Sequence, residues 1–216
     1  MKKALITGAS RGIGRAVARE LGKDHHIYAG ASKDASGIVA ALPSAEPFEA
    51  DLTDTDVILK AASEIEELDV LVLAAGVMEG GPLDELTDDK WREMMEVNLF
   101  APVTLTRALL PALRRSSGLI IAINSGAGFH GMAGNSAYCA SKFALRGFTE
   151  SLQAEEAGKV RVTSLHPGRT DTDMLAGDNG MPKMGADEVA KAARLAVDAG
   201  PDAVVEFLRV RPAFTS

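Results

Sequence analysis

A three-layer α/β/α architecture on a doubly wound, mostly or wholly parallel sheet of about seven strands is predicted by three observations. Short β-rich runs alternate with longer helical patterns from end to end. The central β runs are apolar throughout instead of alternating, as parallel strands covered by helices on both faces require. A glycine-rich turn joins the first β run directly to the first helical pattern.

In chain order, Ala4–Thr7 is the first strand, and a helix over 12–22 follows the glycine turn. His26–Ala29 is the second, trailed by a weaker helical pattern near 35–42; Pro47–Ala50 is the third, followed by a helix over 54–67. Asp69–Ala74 and Gly118–Asn124 are apolar strands bracketing a long helix over 88–114. A helix over 137–157 leads to Val160–Leu165, and a helix near 186–198 with a strand at Ala203–Leu208 completes the sheet. Right-handed crossovers wind these units onto both faces. No repeat, low-complexity segment or linker divides the chain, so residues 1–216 read as a single domain. The longest irregular stretch, 169–185, has the length of a functional lid or a disordered segment.

Composition narrows the function. Of 216 residues 46% are hydrophobic and 25% charged, as in a compact globular chain. The net charge of -7 argues against a nucleic-acid surface while leaving room for a local basic pocket. Cys139 is the single cysteine, which excludes an intrachain disulfide and a cysteine metal cage and fits the cytoplasm. No apolar run is long enough to span a membrane, and no metal is expected.

Thr7-Gly8-Ala9-Ser10-Arg11-Gly12-Ile13-Gly14, between strand and helix, has the makings of a phosphate cradle. Glycines let the backbone approach a diphosphate, and free amides with the helix dipole face its charge. Further on, Tyr138 and Lys142 lie four residues apart in a helical pattern and so share a face. An ammonium beside a phenol favours the phenolate and draws the tyrosine pKa down from about 10. Taken alone, the pair also reads as a solvated helix face with snorkelling stems.

These motifs, with Ser125 placed 13 residues before Tyr138 and Asn98 at the end of a helical segment, resemble the short-chain dehydrogenase/reductase family. Asp51-Leu52 after the third strand and Pro167-Gly168 after the sixth extend the resemblance from Lys2 to about Leu208, in family order. One departure is Ala74-Ala75-Gly76, where the family often has Asn-Ala-Gly. The resemblance implies a Rossmann-type fold and a hydride transfer between a nicotinamide cofactor and a small-molecule carbonyl or alcohol. In it Tyr138 would be the proton donor or acceptor. Lys142 would lower its pKa and hold the nicotinamide ribose. Ser125 would hydrogen-bond the substrate oxygen, and Asn98 would anchor a water leading from Lys142 to solvent. Asp51 would reach toward the adenine, Ala75-Gly76 would pass near its ribose, and Thr170 and Thr172 would hold the carboxamide. A homodimer or homotetramer formed through the fourth and fifth helices is implied as well. Plainer readings stand beside these: a turn hydrogen bond for Ser125, a helix cap or bend for Asn98, a cap for Asp51.

Cofactor choice turns on the end of the second strand, where an acid selects NAD and a basic group favours NADP. The strand ends without an acid at its tip, and Arg11, Ser32 and Lys33 together suit a 2′-phosphate. Asp34 has the offset of an NAD-selecting acid but also suits a cap of the short helix after it. NADP(H) is therefore preferred, with NAD(H) the alternative. For the substrate, Phe129, His130 and Met132 follow Ser125, and Met174, Leu175, Met181 and Met184 fall within 169–185, making an adaptable apolar wall. A non-catalytic redox sensor on the same fold is the competing function.

Overall fold

The computed structural model describes residues 1–177, 180–200 and 202–213; of the segment 169–185, Asp178 and Asn179 lie outside the described residues. Seven strands form one sheet in the order β3-β2-β1-β4-β5-β6-β9, and every pairing is parallel. Its strands are β1 (Lys2–Ile6), β2 (His25–Ala31), β3 (Ala45–Glu49), β4 (Val70–Leu73), β5 (Leu119–Ile123), β6 (Arg161–Pro167) and β9 (Phe207–Val210).

The helices α1 (Gly12–Leu21) and α7 (Ala186–Asp198) cover one face, where Val17, Leu21, Val189 and Ala193 pack on Ile6, Ile27 and Ile121. Helices α3 (Thr55–Ser63), α5 (Ala101–Ser116) and α6 (Ser136–Glu155) cover the other, where Leu105, Leu109 and Leu152 meet Leu5, Leu71 and Ile120. Consecutive residues of β1, β4 and β5 are thus buried on opposite faces, which is why these strands carry no polar alternation. Each fully buried leucine or isoleucine contributes roughly 1.5–3 kcal/mol by leaving water. Strand order reverses between β1 and β4, and the carboxyl ends of the strands at such a switch point open the crevice where ligands bind.

Four sequence expectations are corrected. The last strand is Phe207–Val210 and not Ala203–Leu208, because Ala203 turns back to the Gly200 carbonyl before Ser164 pairs with Phe207. The segment 169–185 is not wholly irregular: β7 (Thr170–Asp171) and β8 (Met184–Gly185) pair in parallel, and the Met184 amide bonds the Arg169 carbonyl at 3.0 Å. The second helix shrinks to α2 (Ser36–Val39). The long fourth helix is continuous from α4 (Asp88–Met95) to α5 but widens into a π-turn at Glu96–Phe100, with Asn98 at its centre. Single π-turns of this kind often sit at functional sites.

Candidate active site

The cradle begins where β1 ends. Thr7 Oγ1 accepts the Ala74 and Ala75 amides, each at 2.9 Å, and so locks the tips of β1 and β4 together. This clamp joins the two strands beside the position where the family often carries asparagine. Gly8 has φ +67°, and a Cβ there would stand 2.9 Å from the Ala75 Cα. At Gly14 a Cβ would stand 2.2 Å from the Gly8 carbonyl oxygen, so no other residue allows α1 to start this close to β1. Arg11 caps α1 in extended conformation without a side-chain bond to the first turn, leaving the helix amides turned outward.

These residues line a groove of about 500 Å³ that crosses the carboxyl ends of β1 to β4. Of the expected cofactor residues it brings together Gly8, Ser10, Arg11, Gly12, Ile13, Gly14, Ser32, Asp51, Leu52, Ala75, Gly76 and Thr172. Lys33 does not line it, although its charge helps hold the Asp51 carboxyl low, after the hydrogen bonds from Thr53. Asp51 Oδ1 accepts the Thr53 amide at 2.9 Å and its hydroxyl at 2.8 Å, while Asp54 caps α3. Asp34 is absent from the groove; its Oδ1 accepts the Ser36 amide at 2.8 Å, and the Ser36 hydroxyl, with that amide, holds its pKa below the usual value. The groove fits a dinucleotide: a close-approach glycine turn for a diphosphate, and the Arg11 guanidinium, without a partner among the described residues, for a 2′-phosphate.

A second cavity of about 490 Å³ adjoins the groove, the two sharing Ile13, Met78, Thr172 and Met174. Ser125, at the end of β5, and Tyr138, in the first turn of α6, both line it, and Ser125 Oγ accepts the Ala127 amide at 3.1 Å. Pro167, Gly168 and Thr170 line this cavity and not the groove, with Thr170 Oγ1 bonded to the Gly168 carbonyl at 3.0 Å. Met132, His130, Met174, Leu175 and Met181 are on its wall as expected. Two expected residues are turned away. Phe129 packs under the Arg146 guanidinium, 4.2 Å from its ring centre, and Met184 is buried in the α1/α7 core.

Lys142 lines neither cavity. It is buried beneath both, donating from Nζ to the Ile123 carbonyl at 3.1 Å and standing 5.9 Å from the Tyr138 ring centre. Burial draws its pKa down to about 8. The expected lowering of the tyrosine pKa is corrected here: burial raises Tyr138 above its ordinary value, and the Ser125 hydrogen bond offsets part of the rise. Desolvation of the buried phenol outweighs the other contributions, and the amine is engaged by the Ile123 carbonyl.

Asn98 is 1% exposed, and its side chain is committed to protein. Its Oδ1 accepts the Val77 amide at 2.9 Å; its Nδ2 donates to the Val77 carbonyl at 2.9 Å and to Ser141 Oγ at 3.0 Å. Ser141 in turn donates to the Tyr138 carbonyl at 2.8 Å. Gly76 sits in the same knot, for a Cβ there would stand 3.2 Å from Asn98 Oδ1 and 3.9 Å from Lys142 Nζ. The π-turn thus ties the loop after β4 to the helix carrying Tyr138 and Lys142.

Sequence reasoning missed several residues. His166 Nδ1 bonds the Ser125 carbonyl at 3.1 Å and its Nε2 bonds Ser164 Oγ at 2.8 Å, while burial draws its pKa to about 4. Asn124 Oδ1 accepts the Ser125 amide at 2.9 Å. Glu93 and Val97 reach the groove from α4 and the π-turn, and Arg209, Arg211 and Pro212 reach the second cavity from β9. None carries a local signal; the two arginines were hidden by the displaced strand register. Cys139 packs inward, its Sγ 3.7 Å from the His130 carbonyl. Among the described residues no group of His, Cys, Asp and Glu is arranged to hold a metal ion, and no helix is long and apolar enough to cross a membrane.

The family model described as short chain dehydrogenase matches residues 2–182. The 3-oxoacyl-[acyl-carrier-protein] reductase of Escherichia coli strain K12 is 34% identical over 183 residues, covering 80% of this chain and 75% of that protein. Among solved structures, a metagenomic short-chain oxidoreductase in complex with NADP is 34% identical with a TM-score of 0.86, covering 99% of this chain and 98% of its own. An alcohol dehydrogenase from the archaeon Thermococcus sibiricus, complexed with 5-hydroxy-NADP, superposes with a TM-score of 0.90 at 28% identity, covering 100% and 98%. Fold, motif order and a match over most of its length lead to one conclusion: the chain belongs to the short-chain dehydrogenase family.

Proposed function

We propose that this protein transfers a hydride between NADP(H) and the carbonyl or alcohol carbon of a small or medium substrate with an apolar body, with Tyr138 exchanging the proton. One observation carries the reading: Ser125 and Tyr138 line one cavity, and that cavity shares a wall with the glycine-turn groove. The cofactor, when bound, supplies or receives the hydride. Gly8 to Gly14 hold its diphosphate, and Arg11 with Ser32 holds the 2′-phosphate. That Asp34 is spent on Ser36 and Arg11 has no partner among the described residues supports NADP(H) over NAD(H), as do the NADP complexes of two related structures.

Ser125 orients the substrate oxygen and stabilises the charge that grows on it. Tyr138 stays protonated at neutral pH and donates to that oxygen during reduction. Lys142, a cation below about pH 8, favours the tyrosinate left behind. Asn98 holds Lys142 and Tyr138 in register through Ser141 and Val77. A cytoplasmic location agrees with the lone buried cysteine. A homodimer or homotetramer agrees with Phe100 and Phe143, large apolar side chains exposed by 49% and 46% on the two helical segments expected to pair; light scattering tests it.

Loss of NADPH absorbance with a panel of ketones and aldehydes tests the function. Tyr138→Phe keeps the ring packing and is expected to lower kcat/KM by about 10²- to 10⁴-fold. Full activity in that variant refutes the assignment, and tight NADPH binding without turnover of any carbonyl refutes the enzyme.

A further inference from the structure

The substrate cavity of this acidic protein is rich in arginine. Among the described residues lining it are Arg169, Arg209 and Arg211, and none is Asp or Glu. Across the chain the balance is the reverse, with 30 acids to 23 Lys and Arg. A surface drawn at random from such a chain has acids beside its arginines; this one has methionine, leucine and alanine.

The arginines are delivered by β9. Leu208 and Val210 pack into the α1/α7 core, so by strand alternation Arg209 lies on the opposite face, toward the cavity, and Arg211, directly after the strand, lines the cavity too. Arg209 is held there: its Nη2 lies 3.4 Å from His130 Nε2, and its guanidinium stands 5.6 Å from the Phe129 ring centre. Arg211 is brought against the cavity by the Gly168 amide, which donates to the Val210 carbonyl at 2.6 Å. A Cβ at Gly168 would stand 3.3 Å from the Arg211 Cα, so glycine lets the chain end lie this close. The Arg211 guanidinium has no acid, carbonyl or hydroxyl partner among the described residues. Both arginines lie beyond residues 2–182, the part matched by the family model.

We propose that the substrate carries an anionic group, a carboxylate or a phosphate, on its apolar body, and that Arg211 with Arg209 binds that group while Ser125 and Tyr138 face the carbonyl. This rests on the carbonyl/alcohol reading of the same cavity. Guanidinium forks match either anion, and a charge-assisted pair at a partly dry rim selects against a neutral analogue.

Three probes of equal chain length separate the possibilities: levulinate, its methyl ester, and the corresponding oxopentyl phosphate. Each is measured for kcat/KM with NADPH, and for binding by calorimetry in the presence of NADP+, with the native protein and with Arg211→Gln and Arg209→Gln. One charge-assisted contact corresponds to about 10- to 100-fold, so an anion is expected to exceed the ester by that factor, and the ratio to fall toward one in Arg211→Gln. Whether levulinate or the phosphate gains more identifies the anion. An ester that equals or exceeds both anions, or a ratio unchanged in Arg211→Gln, overturns the proposal while leaving carbonyl reduction intact. Arg211-dependent binding of an anion with no turnover of any probe upholds the anion site and overturns the reductase reading. Neither binding nor turnover overturns both.

Discussion

Replacing Lys142 by methionine should make the protein more stable and less active, and the size of the first effect follows from burial. The amine is 4% exposed, and its pKa falls from 10.5 to about 8. Keeping it charged in the folded state therefore costs about 3 kcal/mol at pH 7, where both folded and unfolded chains carry the proton. Methionine has a similar length and no charge to desolvate. It forfeits the bond to the Ile123 carbonyl, 3.1 Å in this structure, which returns about 1 kcal/mol of that gain. The net expectation is a variant more stable by about 2 kcal/mol at pH 7. Between pH 8 and 10.5 the unfolded chain binds more protons at this site than the folded one, so native stability rises with pH and the difference closes. Urea unfolding of both proteins at pH 7, 8.5 and 10 reads this directly. A variant less stable at pH 7, or an advantage that does not shrink toward pH 10, would show that Lys142 is not a desolvated cation. Activity moves the other way: reduction should fall by about 10²-fold or more with the loss of the charge beside the phenol. In the native protein kcat/KM for reduction should decline as pH rises through about 8; a profile flat to pH 10 contradicts the role of the cation.

Arg11→Ala should raise the Kd for NADPH by about 10- to 100-fold, the worth of one charge-assisted phosphate contact, and leave NADH nearly unaffected; equal loss for both refutes the phosphate assignment. His166→Ala removes the ring bonded to the Ser125 carbonyl and should lower kcat by about tenfold with NADPH affinity unchanged, since the ring touches the serine and not the groove. Because that ring is neutral above about pH 4, the native pH profile should show no step from it between pH 5 and 8, and a step abolished in His166→Ala would count against this placement.

The chain's order of elements was legible because buried parallel strands must be apolar on both faces, as Leu119–Ile123 is. The glycine turn was legible for a stricter reason: Gly8 has positive φ and Gly14 admits no Cβ, so the residue type records the geometry. Tyr138 and Lys142 could be paired from spacing alone, since helical residues at i and i+4 share a face whatever they pack on. Their electrostatics could not. The direction of each pKa depends on burial and on which neighbour the amine meets, and the Ile123 carbonyl comes from another strand.

Register, likewise, was a tertiary matter. The run Ala203–Val205 looks as strand-like as Phe207–Val210, and only the ladder with β6 chooses between them. That choice carries Arg209 and Arg211 to the substrate cavity, and the same long-range packing puts His166 under Ser125 and spends Asp34 on Ser36. Sequence by itself determined the fold, the glycine turn and the placing of Tyr138 and Lys142 on one helix face, because backbone sterics and local periodicity act within a few residues. The tertiary structure decided which arginines reach the second cavity and how far burial lowers the Lys142 pKa, because those depend on desolvation and on partners 19 or more residues away.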